Sequence, residues 1–232
     1  MPNSTTSLPI GAPVPDPTPR KRPPHTVLGG KAVTLEPLDL ERHGAGLQRA
    51  SHGSTEREQV WRYMPAGPFP SEDALCSWYE LTLAPGDPLF YAVVDPLSSN
   101  PIGVVSYLNI ETTHGAVEIG HIWYTPDVQR SNVNTESCYL LLRHAFDDLG
   151  YRRVEWKCDS LNARSRVAAL RLGFQFEGIF RQHRIVGGLN RDTAWFSITD
   201  SEWPVLRSAM ERWLEWQADA QPRPSLSTLT AR

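Results

Sequence analysis

A chain of 232 residues with 40% hydrophobic content can bury one sizeable core, and one domain with short tails is the simplest count. A net charge of −3 gives no general affinity for nucleic acid, and no apolar run approaches the ~20 residues of a membrane span. Cys76, Cys138 and Cys158 are odd in number and lack metal-ligand spacing, so reduced core thiols are expected and no metal centre. With no apolar stretch after a basic start, a cytoplasmic protein is the default.

Taken in chain order, residues 1–30 are rich in Pro with scattered Ser, Thr and Gly, and read as a flexible tail. The basic cluster Arg20-Lys21-Arg22 reads as part of it. The domain is expected over residues 31–217, with a second loose tail over 218–232. Lys31–Pro37 alternates as a first strand, and Leu40–Ser51 has helical spacing. Ser71–Leu83 starts on a capping residue and carries Leu75, Trp78 and Tyr79 on one face. Leu89–Asp95, Ile102–Glu111 and Val117–Tyr124 read as strands. A long helix follows, with Cys138, Leu141, Leu142, Ala145, Phe146 and Leu149 at helical spacing. Then come a strand at Arg153–Cys158, a short helix opened by Asn162, and strands near Gly178–Val186 and Asp192–Thr199. A final amphipathic helix begins near Asp200 and carries Trp203, Leu206, Met210 and Trp213. The sum is a mixed α/β sheet with helices on both faces.

Between the Val117–Tyr124 strand and the long helix lies Val128-Gln129-Arg130-Ser131-Asn132-Val133-Asn134-Thr135-Glu136-Ser137. A loop feeding a helix start offers unpaired N–H groups and the positive end of a dipole, a ready site for phosphate or pyrophosphate. This segment resembles the acyl-CoA-binding motif of the GNAT acetyltransferase superfamily, in its RimJ/RimL-like branch. Gln129 fits the first motif position and Thr135-Glu136-Ser137 its tail, whereas Asn132 and Asn134 replace the usual small residues. A second block matches the same branch: Asn162 and Ser165, then Leu172-Gly173-Phe174 and Glu177-Gly178.

The resemblance implies a mostly antiparallel central sheet of about seven strands, splayed between the fourth and fifth. It implies acetyl-CoA, or another acyl-CoA, as cosubstrate. The pyrophosphate is then expected on Gln129, Arg130, Ser131, Asn132, Val133, Asn134 and Thr135, although Arg130 also reads as a surface arginine. The backbone N–H groups of Ile122, Trp123 and Tyr124 are expected to face a thioester oxygen. Glu118 is the expected general base, with His121 as competitor. Strand alternation puts Glu118, Gly120 and Ile122 on one face and Ile119, His121 and Trp123 on the other. Asn162 reads as a helix cap or a pantetheine contact, and Ser165 as the acid that protonates the leaving thiolate. Trp61, Arg62, Tyr63, Trp78 and Arg184 are expected around the acceptor, or as packing groups. The acceptor is a small-molecule amine or a peptide N-terminus, with no nucleic-acid or membrane partner, and the protein a monomer or homodimer. A bulkier acyl-CoA such as succinyl-CoA, or a catalytically inactive acyl-CoA-binding module, are the alternatives.

Overall fold

Strand alternation and the turn residues between the runs produce an eight-stranded sheet in the order β1-β2-β3-β4-β5-β6-β8-β7. The computed structural model describes residues 8, 10–216 and 224–230. Its strands are β1 (Leu28–Gly29), β2 (Thr34–Pro37), β3 (Leu89–Val94), β4 (Pro101–Glu111), β5 (Ala116–Tyr124), β6 (Arg153–Asp159), β7 (Gln175–Val186) and β8 (Leu189–Thr199). Only β5 and β6 run parallel; every other neighbouring pair is antiparallel. The strand beyond the expected seven is β1, which pairs Leu28 with Leu35 and Gly29 with Thr34.

Helix α1 (Leu40–Ser51) is capped by Asp39, and α3 (Glu72–Leu83) by Ser71, whose hydroxyl accepts the Ala74 N–H at 3.2 Å. Between them lie α2 (Thr55–Glu58) and a 3₁₀ turn at Gln59–Trp61, too short to leave a period in the sequence. Helix α4 (Val133–Arg143) runs on into a π-helical turn at His144–Asp148. Helices α5 (Ala163–Arg171), α6 (Trp203–Leu214) and α7 (Leu226–Thr230) follow.

Two cores result, one on each face. Val117, Ile119, Val154, Trp156, Ala194 and Phe196 meet Leu141, Leu172 and Leu206 of α4, α6 and the end of α5. On the other face Trp61, Leu75, Tyr79, Phe90, Val104 and Trp123 form a smaller aromatic core under α1 and α3. That second core covers β3, β4 and β5 but not β6, β8 and β7, so the latter half of that face stays open.

The parallel ladder is short. It pairs Ala116 with Arg153, Val117 with Val154 and Glu118 with Glu155, while β5 continues to Tyr124 and β6 to Asp159. Beyond Glu118 the two strands diverge.

Of the tail expected at residues 1–30, residues 1–7 and 9 lie outside the described residues, and the stretch from Arg20 to His25 is held against the domain. The Arg20 N–H bonds the Thr112 carbonyl at 2.8 Å, Tyr151 donates its hydroxyl to the Lys21 carbonyl at 3.1 Å, and the His25 ring meets the Phe90 carbonyl at 2.6 Å. This strap lies against Tyr91, whose ring stands 5.0 Å from that of His25, and against Tyr151. Each such bond contributes about 1 kcal/mol, offset by the cost of ordering the segment. Removing residues 1–25 is therefore expected to cost about 1–3 kcal/mol. Chemical denaturation checks this, and an unchanged midpoint and slope would assign the strap no structural role. At the other end, Leu226 is buried and Thr230 donates to the Arg171 carbonyl at 3.2 Å, so α7 docks where a loose tail is expected. Residues 217–223 and 231–232 of that tail lie outside the described residues.

Candidate active site at the divergence of two strands

Two bulges shape the floor. In β5, Gly120 pairs with Ser106 and Trp123 with Val104, so three steps on β5 face two on β4. His121 sits at the extra position with φ +49°. In β4 the reverse occurs near Asn109, also at φ +49°. A bulge resets the alternation of side chains. The expected division of faces is therefore corrected: Ile122 and Tyr124 join Val117 and Ile119 on the α4 side. His121 instead packs its ring 5.0 Å from Phe90, on the same side as Trp123 and Glu118.

Glu118 is 5% exposed. Its Oε2 accepts from Asn109 Nδ2 at 2.6 Å and from Lys157 Nζ at 2.8 Å. Oε1 takes no hydrogen bond among the described residues, and it lies 3.5 Å from the point where a Gly120 Cβ would stand. The missing side chain at 120 keeps that oxygen approachable. Desolvation raises the Glu118 pKa above the usual carboxylate value, outweighing the ammonium of Lys157.

His121 differs. Ser106 Oγ donates to the Gly120 carbonyl at 3.1 Å and lies 3.0 Å from His121 Nδ1. Burial, with the charge of Arg191, lowers the His121 pKa to about 4. It is a neutral ring near pH 7 and the weaker base of the two.

Lys157 was not among the expected site residues. Its ammonium bridges Glu118 and Glu155 at 2.8 and 2.7 Å and stands 4.0 Å above the Trp195 ring. The sequence signal was present, because Arg153, Glu155, Lys157 and Asp159 fall on one face of β6. Asn109 gave no signal, since its role depends on the β4 bulge.

On the opposite face stands the loop before α4. The Gln129 N–H bonds the Pro126 carbonyl at 3.1 Å, and its side chain donates to the Tyr124 carbonyl at 3.2 Å. Gln129 thus tightens the loop and its N–H is already committed. Arg130 is exposed at φ +64° with no ion pair among the described residues. Ser131 accepts the Val133 N–H at 3.2 Å. Asn132 occupies the N-cap with no side-chain capping bond. Asn134 accepts from the Cys138 thiol at 3.6 Å, so its side chain turns back along the helix. The first turn of α4 leaves the Asn134 and Thr135 N–H groups without intrahelical acceptors. Thr135 Oγ1 is buried with no partner among the described residues.

Beside it, the Thr125 N–H bonds the Ile102 carbonyl on β4 at 2.8 Å. By alternation Tyr124 directs its N–H and carbonyl the other way, into the divergence. The Asn162 amide oxygen caps α5 through the Ser165 N–H at 3.1 Å, leaving its NH₂ end over. Ser165 Oγ accepts from Trp156 Nε1 at 2.9 Å, and it neighbours the Cys158 thiol, which burial pushes up. An unladdered strand edge, a helix start with unpaired donors and an orphaned Thr135 hydroxyl suit an extended chain ending in a diphosphate.

The acceptor-side residues scatter. Trp61 is 2% exposed and packs on Phe69, Trp78 and Trp123, so it belongs to the aromatic core. Trp78 is half-buried in that cluster. Tyr63 donates to the Leu161 carbonyl at 3.3 Å, joining the segment before α3 to the loop after β6 across the divergence. Arg62 and Arg184 are exposed. Among the described residues no group of three His, Cys, Asp or Glu side chains is placed to hold a metal ion, and no helix is long and apolar enough to cross a membrane.

Known proteins share this fold. Residues 33–175 match the family model for the acetyltransferase (GNAT) domain. A GCN5-related N-acetyltransferase from Brucella melitensis is 40% identical in sequence, with a TM-score of 0.86 over 92% of this chain and 97% of that one. A Bacillus subtilis protein named as a candidate ribosomal N-acetyltransferase, YdaF, is 26% identical over 73% of this chain and 90% of its own length. The ribosomal-protein-serine acetyltransferase of Escherichia coli is 30% identical over 44% of this chain and 56% of its own. The chain belongs to the GNAT acetyltransferase family, and is a transferase of the kind that draws its acyl group from acetyl-CoA.

Proposed function

We propose that this protein transfers an acyl group, acetyl in the first instance, to a primary amine by direct attack, with Glu118 taking the proton. The observation that carries this is the uncommitted Oε1 of Glu118: a buried carboxylate of raised pKa, opened by Gly120, where β5 leaves β6. A carboxylate so placed accepts a proton, directly or through a water, from an amine entering on the α1/α3 side. His121, its pKa lowered to about 4, suits that task less well.

Acyl-CoA supplies the activated thioester. The N–H groups of Asn134 and Thr135 hold its diphosphate, Gln129 shapes the loop beneath it, and Arg130 adds a charge-assisted contact. The Asn162 NH₂ end contacts the pantetheine. The Tyr124 N–H, the one of the Ile122–Tyr124 run directed into the divergence, orients a carbonyl oxygen. Ser165 stands on the other face of the sheet from Glu118 and holds a proton for the leaving thiol. Base and acid on opposite faces let amine and thiol work from opposite sides without a covalent acyl-enzyme.

Tyr63, tied to the loop after β6 through the Leu161 carbonyl, borders the acceptor entrance, with Trp61 and Trp78 packed in the core on the same side. The names of the Bacillus subtilis and Escherichia coli relatives give ribosomal proteins as their acceptors, which supports a protein amine, here a peptide N-terminus, as one acceptor class beside small amines. The residue division proposed is a domain over 31–217 with the strap and α7 docked on it.

At ~100-fold its dissociation constant, acetyl-CoA is expected to stabilise the fold by roughly 2.7 kcal/mol, several degrees in Tm. The deciding experiment is release of free CoA thiol from several acyl-CoAs across amines and N-terminal peptides. Binding with no turnover on any acceptor would reduce the protein to an acyl-CoA-binding module.

A further inference from the structure

On the open half of the sheet, the odd-numbered residues of β8 share one face: Arg191, Thr193, Trp195 and Ser197. Ser197 donates to Glu177 at 2.6 Å, and Thr193 Oγ1 is 3.0 Å from His183 Nδ1. The other two are different. Arg191 Nε and Trp195 Nε1 are both buried, both donors, and both without a hydrogen-bond partner among the described residues. An unpaired buried donor costs about 1–3 kcal/mol, so two on one strand face ask for an acceptor group.

The acidic groups nearby are already engaged. Glu155 and Oε2 of Glu118 are held by Lys157, Glu177 is held by Arg153, and Asp192 accepts from the Gln182 N–H and from Asn190, while Oε1 of Glu118 bonds neither donor. Arg191 and its cross-strand neighbour Arg184 make no ion pair among the described residues. The place is also the right one. Lys157 Nζ lies 4.0 Å from the Trp195 ring and 2.8 Å from Glu118, so Trp195 is one side chain away from the uncommitted carboxylate oxygen. The Ser160 N–H bonds the Asp192 carbonyl at 2.8 Å, which ties the loop carrying Leu161 to the strand carrying Arg191. Phe180 lies 4.5 Å from Trp195 and gives the subsite an apolar side.

We propose that Arg191 and Trp195 form an anion subsite at the rim of the transfer cleft. It takes a carboxylate carried either beside the amine of the acceptor or at the far end of the acyl chain. The guanidinium Nε and the indole N–H donate to its oxygens, and the charge of Arg191 is neutralised by it. This assignment rests on the acyl-transfer reading for its location, and it names the chemistry of what that cleft accepts.

Calorimetric titration of wild-type protein, Arg191→Met and Trp195→Phe tests it with two matched pairs. One pair is an N-acetyl amino acid and its neutral amide, which probes the acceptor side. The other is succinyl-CoA and butyryl-CoA, which probes the acyl side. The expected result is a preference of tenfold or more for the carboxylate member of one pair, lost in Arg191→Met and reduced several-fold in Trp195→Phe, which keeps the ring. The pair that shows it identifies the source of the anion. Equal affinities within both pairs, or a preference untouched by both variants, overturn the subsite. Acetyl-CoA is titrated alongside: if it binds while no preference appears, the subsite falls and the transferase reading stands. If the N-acetyl amino acid preference appears and no coenzyme A species binds, the transferase reading falls and the subsite stands.

Discussion

Glu118→Gln lowers turnover by about 100-fold or more at saturating acyl-CoA, while the affinity for acyl-CoA stays within a few-fold of wild type. The size follows from the usual contribution of a positioned proton acceptor, ~10²–10⁴. The separation follows from geometry, because Glu118 faces the α1/α3 side and the loop before α4 lies on the other. The same carboxylate sets the acid limb of the pH profile. Activity rises with pH as Glu118 loses its proton, and since burial raises that pKa the limb lies above the ordinary glutamate range. Lys157→Met removes the neighbouring ammonium that favours the charged form, so the limb moves to still higher pH. The stability effect has the opposite sign to that of an ordinary ion-paired carboxylate. A pKa raised on folding means that ionising Glu118 costs stability as pH rises from the unfolded value through the folded one. Glu118→Gln is therefore expected to leave stability near pH 7 unchanged or improved. Unchanged turnover in this variant would remove Glu118 from the chemistry.

The second large effect concerns folding. Glu136 is 6% exposed, and its carboxylate accepts three successive backbone N–H groups: Lys31 at 2.9 Å, Ala32 at 2.5 Å and Val33 at 2.9 Å. It staples the first turn of α4 to the chain entering β2. Gly30 makes room for it, since a Cβ there would stand 2.6 Å from Glu136 Cδ. Truncating the carboxylate leaves three donors without partners, at about 1–3 kcal/mol each where water cannot replace it. Val33 is buried and Ala32 half-buried, whereas Lys31 is exposed. Glu136→Ala is thus expected to lose about 3–5 kcal/mol, roughly 10 °C in Tm. Glu136→Gln loses less, because one oxygen is kept while its NH₂ faces donors. Urea denaturation measures both. A loss under about 1 kcal/mol in Glu136→Ala would show that the three N–H groups find other acceptors. This assigns the Glu of the Thr135-Glu136-Ser137 run a structural part: it holds in place the helix start proposed to grip the diphosphate.

The contrast between Glu136 and Glu118 shows how far one chain of letters carries. Runs such as Leu89–Val94 and Arg153–Asp159 disclose their strands because period-two alternation is a local property. The helix opened by Asn162 and the one capped by Ser71 disclose their starts, because a cap needs only the next few residues. The loop from Gln129 to Thr135 was legible as a helix start, and the family could be recognised from it. The sequence by itself therefore determined the succession of the seven longer strands and the main helices, and the family to which they belong, but not β1, α2 or α7. The tertiary structure alone decided which side chains share the site. A bulge depends on how two strands register against each other. The extra residue at His121 turned that ring to the side of Glu118 and turned Ile122 away, against simple alternation. The β5/β6 pairing set Lys157 against Glu118, the bulge in β4 brought Asn109 to the same oxygen, and the packing around β8 left Arg191 and Trp195 with donors unspent. Those contacts join residues far apart in the chain, and no local period encodes them.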